Sequence, residues 1–123
     1  MSVSTRLHSY RQLAGQQAER YALDYLQAQG LVWIQSNYRS VYGEIDLILR
    51  DGAALIFVEV KQSRSFARAA ESLSARQMQR IYRSAEEFLA GEPAGSLTEV
   101  RFDVALVDGQ GATEIIENAF GHG

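Results

Sequence analysis

The chain has 123 residues, 46% hydrophobic and 22% charged, which is enough for one domain around one modest core. It contains no cysteine, which excludes disulfides and thiolate metal sites, and its net charge of −3 gives no global electrostatic case for nucleic acid. The opening Met1-Ser2-Val3-Ser4-Thr5-Arg6 lacks the apolar stretch of a signal peptide, and no apolar run nears membrane-spanning length, so a cytoplasmic protein without membrane contact is expected.

Residues 1–13 read as a short helix or as a loose arm. From Ala14 to Gln29 the residues Ala18, Ala22, Leu23, Tyr25 and Leu26 form an apolar stripe at helical spacing, and Gly30 supplies a stop. Leu31 to Tyr38 reads as a strand, followed by a turn that ends at Gly43. Gly43-Glu44-Ile45-Asp46-Leu47-Ile48 and Phe57-Val58-Glu59-Val60-Lys61 alternate apolar and charged residues as half-buried strands do. Asp51-Gly52 with Ala53-Ala54 predicts the hairpin turn between them. Met78, Ile81, Tyr82, Ala85, Phe88 and Leu89 then mark a second helix, with Ser74 and Gln77 as a capping box and Gly91 and Pro93 as its stop. Glu99 to Val107 is a strand with Val100, Phe102, Val104 and Leu106 on one face, and Thr113 to Ala119 is a last edge strand. The order α-β-β-β-α-β-β predicts an α/β fold, a mixed β-sheet flanked by helices, with at least one parallel crossover.

A four-residue loop pairs Arg50 with Leu55 and, counting back, Asp46 with Glu59 and Glu44 with Lys61. Glu44, Asp46 and Ile48 then share one face, opposite Ile45, Leu47 and Leu49. Leu55, Phe57, Glu59 and Lys61 likewise face away from Ile56, Val58 and Val60. Opposed residues have Cβ atoms roughly 5 Å apart, and like charges so placed repel. The pair persists if one acid takes a proton, if a cation neutralises both, or if solvent screens them. Two oxygen ligands beside Lys61 suit a hard divalent ion such as Mg2+. A solvated sheet face, with Lys61 pairing Glu44, fits the same pattern. Between Lys61 and Arg83, the six cations Lys61, Arg64, Arg68, Arg76, Arg80 and Arg83 face the single acid Glu71, a local charge of +5. Arg76, Arg80 and Arg83 form a basic stripe along the polar side of the second helix.

Gly15-x-x-x-Glu19, Asn37-Tyr38-Arg39, the two strand motifs and Arg101-Phe102-Asp103-Val104 occur in this order. From about Gly15 to Val107 the chain resembles the YraN-like family of small bacterial proteins, an uncharacterised protein family. That family is a branch of the PD-(D/E)XK nuclease superfamily, similar in fold to archaeal Holliday-junction resolvases. The resemblance implies a single restriction-endonuclease-like domain over residues 14–120. It implies Asp46 and Glu59 as metal-ligand carboxylates, Lys61 as the catalytic lysine and Glu19 as a helix glutamate beside the metal. The activity implied is Mg2+-dependent (or Mn2+-dependent) endonuclease hydrolysis of DNA phosphodiesters, with branched or single-stranded substrates. Arg64, Arg76, Arg80 and Arg83 are then candidate phosphate contacts. So short a chain leaves little surface for selective recognition, so a homodimer or a protein partner is expected. The alternatives are a catalytically inactive nucleic-acid-binding module and a protein-interaction domain without nuclease activity.

Some residues keep two readings. Glu19 borders the buried stripe of its helix and either reaches to water or faces the site. Asp103 reads as structural, paired with Arg101 or Arg39, and Asn37-Tyr38-Arg39 either caps a turn or touches phosphate, with the turn favoured. His8 and His122 match no metal-ligand spacing. The chain departs from the family pattern at Gln62-Ser63-Arg64, which displaces an arginine by one position, at Ala67 in place of a glycine, and at Gln77 in place of a lysine. These departures bear on substrate contacts more than on the acidic set.

Overall fold

The structure, a computed structural model, describes residues 3–62, 67 and 74–119. Among the described residues, five strands and two long α-helices follow one another in the expected order. Helix α1 spans Val3–Ala28, so one helix runs from the opening stretch through the segment read as helical from Ala14. Gly30 ends it. At φ +94° it lets the Leu31 N–H donate back to the Leu26 carbonyl at 3.2 Å, closing the last turn.

Strands β1 (Val32–Arg39), β2 (Glu44–Asp51), β3 (Ala54–Gln62), β4 (Val100–Val107) and β5 (Thr113–Ile116) lie side by side in that order. The β3–β4 pair is parallel and the other three pairs are antiparallel, so the sheet is mixed. Helix α2 (Ala75–Leu89) lies in the β3–β4 connection, as a parallel pair requires of its crossover. Its start is fixed by Ser74, whose hydroxyl accepts the Gln77 N–H at 3.1 Å. Among the described residues, no helix is long and apolar enough to cross a membrane.

The helices cover opposite faces of the sheet. Ala18, Ala22 and Leu26 of α1 pack on Leu47, Leu49, Ile56, Val58, Ala105 and Val107. Ile81, Ala85 and Leu89 of α2 pack on Ile45, Ile48, Leu55, Phe57 and Phe102. An aromatic chain knits the second layer. Phe57 stacks on Phe102 at 5.4 Å, Tyr82 meets Phe102 edge-on at 4.7 Å, and Phe88 meets both Phe57 and Tyr38 edge-on. The strands are apolar on both faces here because both faces are covered, whereas β1 at the sheet's edge alternates exposed and half-buried residues.

Three expectations about local boundaries need correction. Arg50 does pair with Leu55, but the ladder continues to Asp51 and Ala54, so the hairpin reverses over Gly52-Ala53 alone. Gly52 at φ +60° supplies the left-handed conformation that so tight a turn demands. Strand β1 includes Arg39, so Asn37-Tyr38-Arg39 is strand rather than turn. Strand β5 stops at Ile116, and Glu117-Asn118-Ala119 turns back toward β4, with the Ala119 N–H donating to the Phe102 carbonyl at 2.9 Å.

That return is held by an ion pair between the buried Asp103 and the half-buried Arg101. Asp103 is fully buried and accepts three hydrogen bonds from the Arg101 guanidinium, at 2.9, 3.1 and 2.9 Å, and a fourth from the Asn118 N–H at 2.9 Å. Asp103 is thus structural, with Arg101 as its partner. Replacing it strands a guanidinium and a backbone donor together. Asp103→Ala is expected to lower the free energy of unfolding by about 3 kcal/mol or more, read from urea denaturation. A loss of under about 1 kcal/mol, the size of an ordinary surface pair, would contradict this assignment.

Candidate functional site

The site begins where two strands part. The β2–β3 ladder runs from Asp51–Ala54 to Leu47–Val58 and goes no further. Strand β2 continues beside β1 as far as Glu44, opposite Arg39, and β3 continues beside β4 as far as Gln62, opposite Val107. The expected ladder pairs Asp46–Glu59 and Glu44–Lys61 therefore do not form. Parting leaves the backbone N–H of Val60 without a strand partner, and the Asp46 carboxylate takes its place, accepting that N–H at 2.8 Å. The alternation of β2 breaks at the same residue. Leu47 and Leu49 pack toward α1, but Ile45 packs toward α2 with Ile48, against the expectation that Ile45, Leu47 and Leu49 share a face.

Three carboxylates gather on the α1 side of the gap. One oxygen each from Glu19, Glu44 and Asp46 lie within 4.8 Å of one another. Glu19 follows Ala18 on α1 and is half-buried, so of its two readings the geometry favours the one facing the site. Asn37 separates two of these acids, its Nδ2 donating to Glu19 at 3.0 and 3.1 Å and to Glu44 at 2.7 Å. It stands at φ +53°, a left-handed conformation that asparagine tolerates better than most residues. Glu44 and Asn37 thus join the site, a role the sequence alone did not assign them.

Glu59 and Lys61 stand on the other side of the gap. Glu59, on the face of β3 that carries Leu55 and Phe57, is buried. Its Oε1 lies 3.5 Å from the Lys61 Nζ and accepts the Gln77 Nε2 at 3.1 Å. Lys61 therefore pairs with Glu59 on its own strand and not with Glu44. Gln77 ties the first turn of α2 to the acid. Glu44 reaches its nearest arginine, Arg39, only at 3.9 Å.

These placements load the site with negative charge. Burial first, then the charge of Glu59, push the Asp46 carboxyl up to about 8, against the opposing pull of the Val60 N–H; Glu19 and Glu44 add to the rise. Burial raises Glu59 as well, opposed by Lys61 and by hydrogen bonding from Asp46. Burial also raises Glu19, opposed by Asn37 and reinforced by Glu44. Among the described residues no cation pairs with Asp46. Such a group of acids holds either protons or a cation.

The basic stripe lies alongside. Arg76, Arg80 and Arg83 are exposed on α2. The Arg80 side chain packs over Gly43, 3.6 Å from where a Cβ would stand, one residue before Glu44. The Arg83 guanidinium sits 5.7 Å from the centre of the Tyr42 ring. Arg76 neighbours Gln77 at the helix start. Arg64 lies outside the described residues.

The raised Asp46 carboxyl fixes the sign of a pH effect. Its proton is held more tightly in the folded protein than in the unfolded chain, so the stability tied to that proton is complete below the ordinary value of 3.8 and is lost as pH climbs through about 8. Asp46→Asn keeps an acceptor for the Val60 N–H and removes the charge. In divalent-free buffer its melting temperature should exceed the parent's at pH 8.5, and the difference should shrink toward pH 5. Equal differences at both pH values would contradict the assignment.

Comparison with known proteins places the chain in a family. The model of the uncharacterised protein family UPF0102 matches residues 18–107, which contain Glu19, Glu44, Asp46, Glu59 and Lys61. A UPF0102 protein of Ruegeria pomeroyi is 57% identical over 122 residues, covering 99% of this chain and 96% of the relative. One from Cereibacter sphaeroides is 69% identical over 83 residues, 68% of this chain and 71% of the relative. A more distant one, from Ralstonia nicotianae, is 45% identical over 113 residues, 87% and 85% of the two chains. The chain belongs to the family UPF0102.

Proposed function

We propose that the protein is a cytoplasmic, Mg2+-dependent endonuclease of the PD-(D/E)XK type that hydrolyses DNA phosphodiesters. The observation that carries this reading is the convergence of the Glu19, Glu44 and Asp46 oxygens within 4.8 Å, beside the Glu59–Lys61 pair. The parted strands, with an acid at the start of one and Glu-x-Lys at the end of the other, support a restriction-endonuclease-like fold similar to that of the resolvases.

The donor set fits the metal. Every group is a carboxylate, a hard oxygen ligand of the kind Mg2+ and Mn2+ prefer, and no sulfur or imidazole belongs to it. Asp46 with Glu19 and Glu44 would hold the ion, with Glu59 across the gap. Bound there, the ion supplies positive charge against phosphate oxygens and lowers the pKa of a water. The chain's own residues do the rest. Lys61, held at 3.5 Å by Glu59, presents an ammonium group to a developing negative charge. Gln77 fixes the Glu59 carboxylate from α2. Arg76, Arg80 and Arg83 give exposed cations along the same side of the helix for the phosphates of the strand. A second copy or a protein partner would enlarge the recognition surface of so short a chain.

Two experiments test the reading. Cleavage of single-stranded, duplex and branched DNA with Mg2+ or Mn2+ should be found for the intact chain and fall about a hundredfold or more in Asp46→Ala and Lys61→Ala, with binding retained in Lys61→Ala. Binding without cleavage on any substrate would leave an inactive nucleic-acid-binding module, and no binding at low salt would leave a protein-interaction domain. Separately, Mg2+ or Mn2+ should raise the melting temperature more at pH 8.5 than at pH 6, because the Asp46 carboxyl, at about 8, must give up its proton to the metal. A shift independent of pH would count against Asp46 as a ligand.

A further inference from the structure

The turn between β1 and β2 is fastened to the helix beneath it. Ser40 donates its N–H to the Gly43 carbonyl at 2.8 Å, and its hydroxyl oxygen accepts the N–H groups of Tyr42 and Gly43 at 3.0 and 3.2 Å. The same hydroxyl shares a 2.7 Å hydrogen bond with Ser84, which is fully buried on α2. So rigid a mount holds two apolar side chains outward, Val41 at 86% exposure and Tyr42 at 45%.

Beside the Tyr42 ring opens a depression of about 480 Å³, lined also by Gln79, Tyr82, Arg83 and Glu86. Its chemistry is specific. It offers an aromatic surface with a guanidinium over it, and an amide and a carboxylate that can meet hydrogen-bonding edges. Arg80 packs against the neighbouring Gly43. A purely apolar ligand would leave those polar groups unanswered. A nucleobase answers each of them, with a π-face for the ring, polar edges for Gln79 and Glu86, and an attached phosphate for the arginines. The turn also leads directly, through Gly43, into Glu44 of the acidic cluster.

We propose that this depression receives one unpaired nucleobase of a DNA strand, stacked on Tyr42, with Arg80 and Arg83 against the adjoining phosphates. The inference rests on the nuclease reading and narrows its substrate to DNA with an unstacked base beside the cut. Intact duplex does not satisfy the site, since its bases are stacked on both faces.

The test uses the full chain, in EDTA and at low salt, with fluorescent oligonucleotides carrying 2-aminopurine. Single-stranded DNA should bind more tightly than a duplex of equal length, and its 2-aminopurine emission should be quenched by stacking. Tyr42→Ala should weaken single-strand binding by about ten-fold or more, the size of one lost base–aromatic stack, and abolish the quenching, while duplex binding is unchanged. Tyr42→Phe, which keeps the ring, should restore both signals. If Tyr42→Ala binds and quenches like the parent, the stacking site is wrong and the nuclease reading stands. If neither DNA form binds, both fall together.

Discussion

The separation of β2 from β3 beyond Leu47 and Val58 governs this structure. An intact ladder would have carried Glu44 alongside Lys61 and left no room between the strands. Once the strands part, the first residues of β2 follow β1 toward α1, so Glu44 meets Glu19 and Asn37. Glu59 remains on β3 and meets Lys61 and Gln77 on the opposite side. Asp46 stands in the opening and replaces a lost strand partner with its own carboxylate. A single backbone event thus sets the surroundings of every acid in the cluster.

Two aspartates, Asp103 buried and Asp46 half-buried, show how differently the fold treats a carboxylate. Asp103 has a guanidinium and a backbone N–H filling its acceptor sites, so its charge is matched within the fold. Asp46 has one backbone donor and three acidic neighbours, and its carboxyl rises to about 8 chiefly because burial disfavours the charge. The first arrangement leaves the buried acid fully satisfied, so removing its partner, and not the pair itself, is what costs the fold. The second leaves electrostatic tension that an external cation could relieve, which is how sites shaped for binding commonly differ from sites shaped for stability.

Much of the architecture was legible in the sequence. Periodicity distinguished strand from helix, and the order of elements followed from it, because both helices carry clear apolar stripes and the strands are rich in Val, Ile and Leu. Counting from Arg50 and Leu55 gave the register where the ladder exists. It failed at Asp46, since counting assumes that pairing persists and nothing local signals its end. Glu19, Asp46, Glu59 and Lys61 were identifiable as candidates, but which of them approach one another depends on that break. Asn37 read as part of a turn, yet it bridges Glu19 and Glu44, 18 and 7 positions away. The Ser40–Ser84 contact spans 44 positions between two unremarkable serines and left no pattern to detect.

Helix α2 has an unusual position in this scheme. Through Gln77 it grips Glu59, through Ser84 it grips the β1–β2 turn, and its outer surface carries three arginines. Those attachments lie about two helical turns apart on one rigid rod. A displacement of that rod would therefore act on the buried acid and on the turn together. The helix is thus a common beam between the surface and the interior, with Glu59 fastened at one point along it and the β1–β2 turn at another.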